Sequence, residues 1–169
     1  MLELGKPGSA GVARGELPVL RDGAVVARLK ASNWKERATA LVGDREWVFT
    51  KQKRELVARR SVDPEGTARL RARQTSWWKG TWAVELDGST LQMGTASKWR
   101  GTHRYLAGDR QVAITGNAGR LSPRPTLTAD DSLPLDHQVF LLWVELILTR
   151  RAAATAGAAG VGAVVVAGS

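Results

Sequence analysis

The chain has no cysteine in its 169 residues. Disulfides, thiolate nucleophiles and cysteine-ligated zinc are therefore excluded, and the lack of thiols fits a reducing compartment. Histidine is almost missing as well, His103 and His137 being the only two. Neither sits in a metal-ligand spacing, no Gly-x-Ser-x-Gly elbow is present, and the glycine-rich stretches match neither a P-loop nor a dinucleotide fingerprint. The expectation is a protein that is not an enzyme, with no catalytic residue, no metal and no cofactor. An enzymatic reading would need a polar cavity holding His103 or Glu145. The first residues, Met1 to Gly8, lack a basic segment followed by an apolar one, so no secretory signal is expected.

Two features stand out against these absences. The chain carries seven tryptophans, and its net charge is +9, with 25 Lys and Arg against 16 Asp and Glu. Such an excess favours anionic partners: an anionic membrane surface, an acidic protein or nucleic acid. Solubility alone is the plainer explanation of the same charge. With 43% hydrophobic residues the chain has a globular composition, and its length suits one domain with a real core.

One apolar run is conspicuous. From Val139 to Leu148 every residue except Glu145 is apolar. Wound as a helix, the run has no polar stripe and must be surrounded on all sides. It is about half the roughly 20 residues that span a bilayer, so protein is the better shelter. Burying its side chains contributes on the order of 1.5–3 kcal/mol each before entropy. Asp136 is placed to cap the start of this helix, and Arg150 and Arg151 suit its C-terminal dipole. Glu145 is expected to reach a barrel end or to pair with an arginine, because a lone buried carboxylate is costly.

Upstream the chain keeps a rhythm. Turn signals at Asp22-Gly23, Gly43-Asp44, Glu65-Gly66, Asp87-Gly88 and Gly108-Asp109 are spaced by 21 or 22 residues, and Asp-Gly is a strong hairpin signal. Between them lie strand-like segments such as Ala24–Lys30, Glu46–Thr50, Ala68–Arg73, Trp82–Leu86 and Gln111–Thr115. A Ser-x-Trp-(Lys/Arg) tetrad recurs at Ser32, Ser76 and Ser97, in phase with the turns, and Ser32–Thr50 aligns without gaps on Ser97–Thr115. Residues 116–119 read as a turn, and Ser122–Thr126 as an extended edge or loop because of its prolines. The fold class expected is all-β with one helix: an antiparallel β-barrel of about 10–12 strands enclosing a hydrophobic C-terminal helix. The expected bounds are a flexible N-terminal arm over 1–15, with room for one short strand pairing onto the sheet, a barrel over 16–151 with its central helix at 136–151, and an Ala/Gly-rich tail over 152–169, disordered or membrane-associated.

Candidate binding residues follow from the charges and the indoles. Arg69, Arg71 and Arg73 alternate and so share one strand face; Lys51, Lys53, Arg54, Arg59 and Arg60 form a second basic segment. Core packing is the ordinary role of Trp34, Trp47, Trp77, Trp78, Trp82 and Trp99. The sharper reading puts Trp77 or Trp78, and Trp99, beside Lys79 and Arg100, on an amphipathic surface. Trp77 and Trp78 would face opposite ways if both lay in one strand.

The Asp22-Gly23 and Asp87-Gly88 turns, the Trp-(Lys/Arg)-Gly-Thr segments at Trp78 and Trp99, and the helix Val139–Leu148 with its Arg pair together resemble the tubby C-terminal-like superfamily, which includes the LURP-one-related proteins and the phospholipid scramblases. The likeness covers about residues 16–151. It implies a non-catalytic barrel module, some relatives of which bind phosphoinositide headgroups through basic strand residues. No acidic calcium loop and no cysteine cluster of the scramblase kind is present, so calcium dependence and lipid flipping do not carry over. The function expected is a binding module meeting anionic lipid headgroups or a protein partner at the membrane surface. It would be cytoplasmic and peripheral at the inner membrane face, with Lys79, Arg100, Arg69, Arg71, Arg73, Trp78 and Trp99 as the anion- or lipid-binding residues. The alternative is a single-stranded nucleic-acid-binding barrel using Arg and Trp, which ranks behind the lipid reading. No small-molecule substrate is inferred.

Overall fold

The structure, a computed structural model, describes residues 1–119 and 123–160. Twelve strands run as an antiparallel meander: β1 (Leu2–Leu4), β2 (Leu17–Arg21), β3 (Ala24–Ala31), β4 (Arg37–Val42), β5 (Arg45–Gln52), β6 (Glu55–Arg60), β7 (Leu70–Ser76), β8 (Thr81–Leu86), β9 (Ser89–Ser97), β10 (Thr102–Ala107), β11 (Arg110–Ala118) and β12 (Arg124–Ala129), followed by the helix α1 (Leu135–Gly160). The sheet closes into a barrel, and closure leaves no open edge. Strands such as β4 and β8 alternate as the pleat demands, whereas β2, β6 and β12 each bury three residues in a row. In β4, Ala38, Ala40 and Val42 point inward while Arg37 and Leu41 face out; in β8, Trp82, Val84 and Leu86 point inward.

The inward side chains pack on α1. Val139, Phe140, Leu141, Leu142, Trp143 and Val144 are consecutive and fully buried, as a helix without a polar stripe requires. Phe49 of β5 meets Phe140 edge-on at 5.6 Å and Trp143 at 5.3 Å. Among the described residues the indole N–H groups of Trp47 and Trp143 have no hydrogen-bond acceptor; the Trp47 ring also has the Arg60 guanidinium over it at 5.7 Å. The start of α1 is pinned to the wall by Arg45, 3.0 Å from Asp136, and by Asp87, 3.2 Å from His137.

The arm supplies the one short strand for which the sequence left room, and it closes the barrel: Leu2 and Glu3 pair with β12, Leu2 to Leu4 pair with β2, and Leu2 and Leu4 are buried. Arg124 holds this seam, reaching Glu3 at 2.6 Å and the carbonyl of Leu4 at 3.0 Å. Several other expectations about the ends of elements are corrected. The turn expected at 116–119 is strand as far as Ala118. Pro125 lies within β12 opposite Asn117, one residue before the pairing with β1 begins at Thr126, so its missing N–H is not needed for a bond to β1; Ser122 lies outside the described residues. The helix starts at Leu135 and puts Asp136 in its first turn rather than at the cap. It also continues past Arg151 to Gly160, because alanine is the best helix former and Ala152, Ala153 and Ala154 extend the run. Residues 161–169 of the expected tail lie outside the described residues.

Candidate functional site

In a meander the connections alternate between the two barrel ends, and here the ends differ in chemistry. At the end where α1 enters, the turns carry Asp22, Asp44, Asp63, Glu65, Asp87 and Asp109, then Asp130 and Asp131, against one basic residue, Arg69. At the end where α1 leaves, the turns at 32–36, 53–54, 77–80 and 98–101 carry Lys35, Lys53, Arg54, Lys79, Lys98 and Arg100, against one acid, Glu36, and the β1–β2 connection adds Lys6, Arg14 and Glu16. Among the described residues none of the six cations of those four turns makes an ion pair. Glu36 is already taken: Arg151 holds it in a fork at 2.6 and 2.8 Å, and Lys51 lies at 3.5 Å. The Arg151 fork holds the Glu36 carboxyl below its ordinary pKa against the opposing effect of burial.

The exit end also carries the exposed indoles. Trp34, Trp77, Trp78 and Trp99 are 95%, 72%, 89% and 98% exposed, whereas Trp47, Trp82 and Trp143 are in the core. The Ser-x-Trp repeat explains why. Ser32 Oγ accepts the backbone N–H of Trp34 at 3.3 Å and of Lys35 at 3.1 Å; Ser76 Oγ accepts from Lys79 at 3.2 Å; Ser97 Oγ accepts from Arg100 at 3.3 Å. A short hydroxyl that bonds the backbone three residues on closes a turn, and the tryptophan two residues after the serine is left on the outside of it. The two later turns end in Gly80 and Gly101, both at φ 61, where a side chain would be strained. Trp77 and Trp78 are not in a strand at all but in the turn after β7, so both are exposed, with ring centroids 4.6 Å apart. That corrects the core role given as the ordinary one for Trp34, Trp77, Trp78 and Trp99, while the exposure of Trp77, Trp78 and Trp99 fits the amphipathic-surface alternative; the condition for opposed faces, a shared strand, is not met.

Of the proposed site residues, the structure gathers Lys79, Trp78, Trp99 and Arg100 at this rim, leaves Arg73 beside it, next to the 53–54 turn, and separates Arg69 and Arg71 from it. Arg69 lies at the opposite, acidic end, fixed to Asp63 at 2.7 Å. That ion pair and a backbone N–H bond pull the Asp63 carboxyl down to about 2. Arg71 is on the outer wall between Glu55 at 2.9 Å and Glu85 at 3.8 Å, while Arg73 is exposed and opposite Glu55 in register. Arg69 and Arg71 are thus neutralised by acids of the neighbouring chain segments, whereas Arg73 makes no ion pair among the described residues. The second basic segment divides likewise: Lys51, Lys53 and Arg54 line a 340 Å³ cleft at the rim with Trp77, Thr75 and Arg151, whereas the Arg59 guanidinium is held by the carbonyls of Arg60, Ser61 and Asp63. Trp34 and Lys98 at the rim were not among the candidates; the Ser-x-Trp-(Lys/Arg) tetrad was the signal that could have found both.

The exit of α1 is clamped to the same turns. Arg150 donates to the carbonyl of Ser32 at 2.8 Å, and Arg151 stacks over Trp82 at 5.8 Å. Burial lowers the Arg150 pKa. Beyond these arginines the helix stands clear of the barrel, with Ala152 to Ala158 exposed. No helix among the described residues is long and apolar enough to cross a membrane.

Glu145 does not pair with an arginine. It is buried, and its two oxygens take the Tyr105 hydroxyl at 2.7 Å and His103 Nδ1 at 2.8 Å. Burial, reinforced by the Glu145 charge, pushes the Tyr105 phenol well above its ordinary pKa, so it remains a donor. His103 lines a half-open cavity of about 580 Å³ beside the exit of α1, together with Trp82, Trp99, Leu148 and Thr149. Compared with family models, with curated proteins and with solved structures, the chain finds no match.

Proposed function

We propose that the protein is a non-enzymatic docking module, of the tubby-like kind that its sequence resembles, which settles on anionic membrane surfaces with the exit end of its barrel. The observation that carries this reading is the coincidence, at one end only, of four exposed tryptophans and six unpaired cations. Indoles partition to the membrane–water interface, and basic residues near an anionic surface contribute on the order of 1 kcal/mol each before screening. The acids of the opposite end orient the molecule, since an anionic surface repels them. The cleft of Lys51, Lys53 and Arg54 is suited to a headgroup phosphate. The helix-in-barrel architecture supports the resemblance, and the position of the rim supports a peripheral rather than a spanning attachment.

The test is flotation with phosphatidylglycerol-containing vesicles and with pure phosphatidylcholine vesicles at low and high salt. The expected result is salt-sensitive binding to the anionic vesicles. Serine in place of Trp34, Trp78 and Trp99 removes that binding while the fold is kept, because none of the three is in the core. No flotation at low salt would refute the proposal. Single-stranded nucleic acid could use the edge-to-face Trp77–Trp78 pair beside the same cleft. The other two indoles, on separate turns around the rim, do not track a strand backbone, and the lipid reading uses them all. Quenching of tryptophan fluorescence by oligonucleotides, without flotation, would favour the nucleic acid.

A further inference from the structure

The 580 Å³ cavity at the exit end is distinct in chemistry from the cationic cleft and is not needed for docking by charge and indoles. Its size falls within the roughly 300–1,000 Å³ of small-ligand sites. Its walls are largely apolar, from Trp82, Leu148, Pro123 and Ala152. Ala152 at the mouth is seven residues, or about 10 Å of helix rise, above Glu145. His103 lines its inner wall with Trp82, its side chain 17% exposed. Glu145, as a carboxylate, can only accept, so its contact at 2.8 Å draws the imidazole proton to Nδ1. That leaves Nε2, which makes no protein hydrogen bond among the described residues, as an acceptor for the cavity. The carboxylate is costly to bury, and its partner Tyr105 shows that the arrangement is held from two sides.

We infer that this cavity binds a single-chain amphiphile with a neutral hydroxyl head, the hydroxyl donating to His103 Nε2 and the chain lying along Trp82 and Leu148 toward the mouth. A hydroxyl is favoured over a carboxylate because Glu145, one imidazole behind the site, opposes a second negative charge at that wall. A chain-first orientation is disfavoured because it would press a methyl end against the polar His103. The inference rests on the docking proposal only for the source of the ligand, since the mouth opens among Lys98, Trp99 and Arg100.

The full chain, with its histidines labelled with nitrogen-15, is titrated with 1-decanol below its solubility limit and with decanoate below its critical micelle concentration. The expected result is saturable decanol binding that shifts the His103 ring signals, with Nδ1 protonated in the free protein, and binding of decanoate weaker by about tenfold or more. His103→Phe weakens decanol by roughly three- to tenfold, the value of one hydrogen bond. Thr149→Trp, which fills the cavity from an exposed helix position, abolishes it. No saturable binding, unchanged binding in Thr149→Trp, or tighter binding of decanoate than of decanol would each overturn the inference. Monoacylglycerol delivered in phosphatidylcholine–phosphatidylglycerol vesicles, if it shifts the same His103 signals, marks the bilayer as the source; if only the dissolved alcohol does so, the ligand is taken from solution. Flotation is measured alongside. Loss of flotation with decanol binding intact sinks the docking proposal alone, and intact flotation without decanol binding sinks the cavity alone.

Discussion

Tyr105→Phe probes the one polar cluster inside the barrel. The Tyr105 hydroxyl is fully buried and 2.7 Å from Glu145 Oε1. A hydrogen bond to a charged group contributes about 1.5–3 kcal/mol, and the space that the hydroxyl vacates is too small for a replacement water. The loss should therefore appear in full, as a fall of about 1.5–3 kcal/mol in unfolding free energy, or roughly 3–12 °C in Tm for a chain of this size. Adding Glu145→Leu to Tyr105→Phe should then raise stability above that of Tyr105→Phe alone. Removing both partners of a buried polar contact ends the desolvation cost as well as the bond, and His103, being partly exposed, can turn to water. Urea unfolding followed by tryptophan fluorescence and circular dichroism measures both variants, with an unchanged m-value as the check that the same surface unfolds. If Tyr105→Phe falls within about 0.5 kcal/mol of wild type, or if the double variant is less stable than the single one, Glu145 does not carry the buried charge ascribed to it.

Three further outcomes are expected. Phe140→Ala should cost about 3–5 kcal/mol in the same urea assay, because Phe140 is wedged between Phe49 and Trp143 at 5.6 and 6.0 Å. The Asp63 and Glu36 carboxyls have lowered pKa values in the fold. Their stabilisation is therefore present above the ordinary carboxylate range and lost as pH falls from about 4 toward 2; thermal melts across that range should show the loss, reduced in Arg69→Met and Arg151→Met. Deleting residues 1–4 should leave β2 and β12 with unpaired edges, so the truncated chain should form dimers or larger species on size exclusion while the full chain does not do so through this seam.

Much of the barrel was legible because its signals are local. Asp-Gly turns at 21- or 22-residue spacing, alternating segments and an apolar run without a polar stripe each specify one element by backbone chemistry and burial. The Ser-x-Trp tetrads were visible too, but their meaning was not. As strand residues the indoles would have been core; as turn residues closed by a serine hydroxyl they face water, and the two readings share one sequence. The closing strand Leu2–Leu4 was hard to read, since three residues carry no period and one of their two partner strands, β12, lies more than a hundred positions away.

The sequence by itself determined that hairpins would enclose a helix, because hydrophobic burial and turn propensity act over short stretches of chain. Only the tertiary structure decided where the charges count. Register set Arg71 between Glu55 and Glu85 and so neutralised it, while alternation of the connections collected the cations of four separate turns, and the exposed indoles of three of them, at one rim. Closure of the barrel brought His103 and Tyr105 against Glu145, about 40 residues away in the chain. Contacts of that kind depend on how every intervening strand pairs, which no local pattern records.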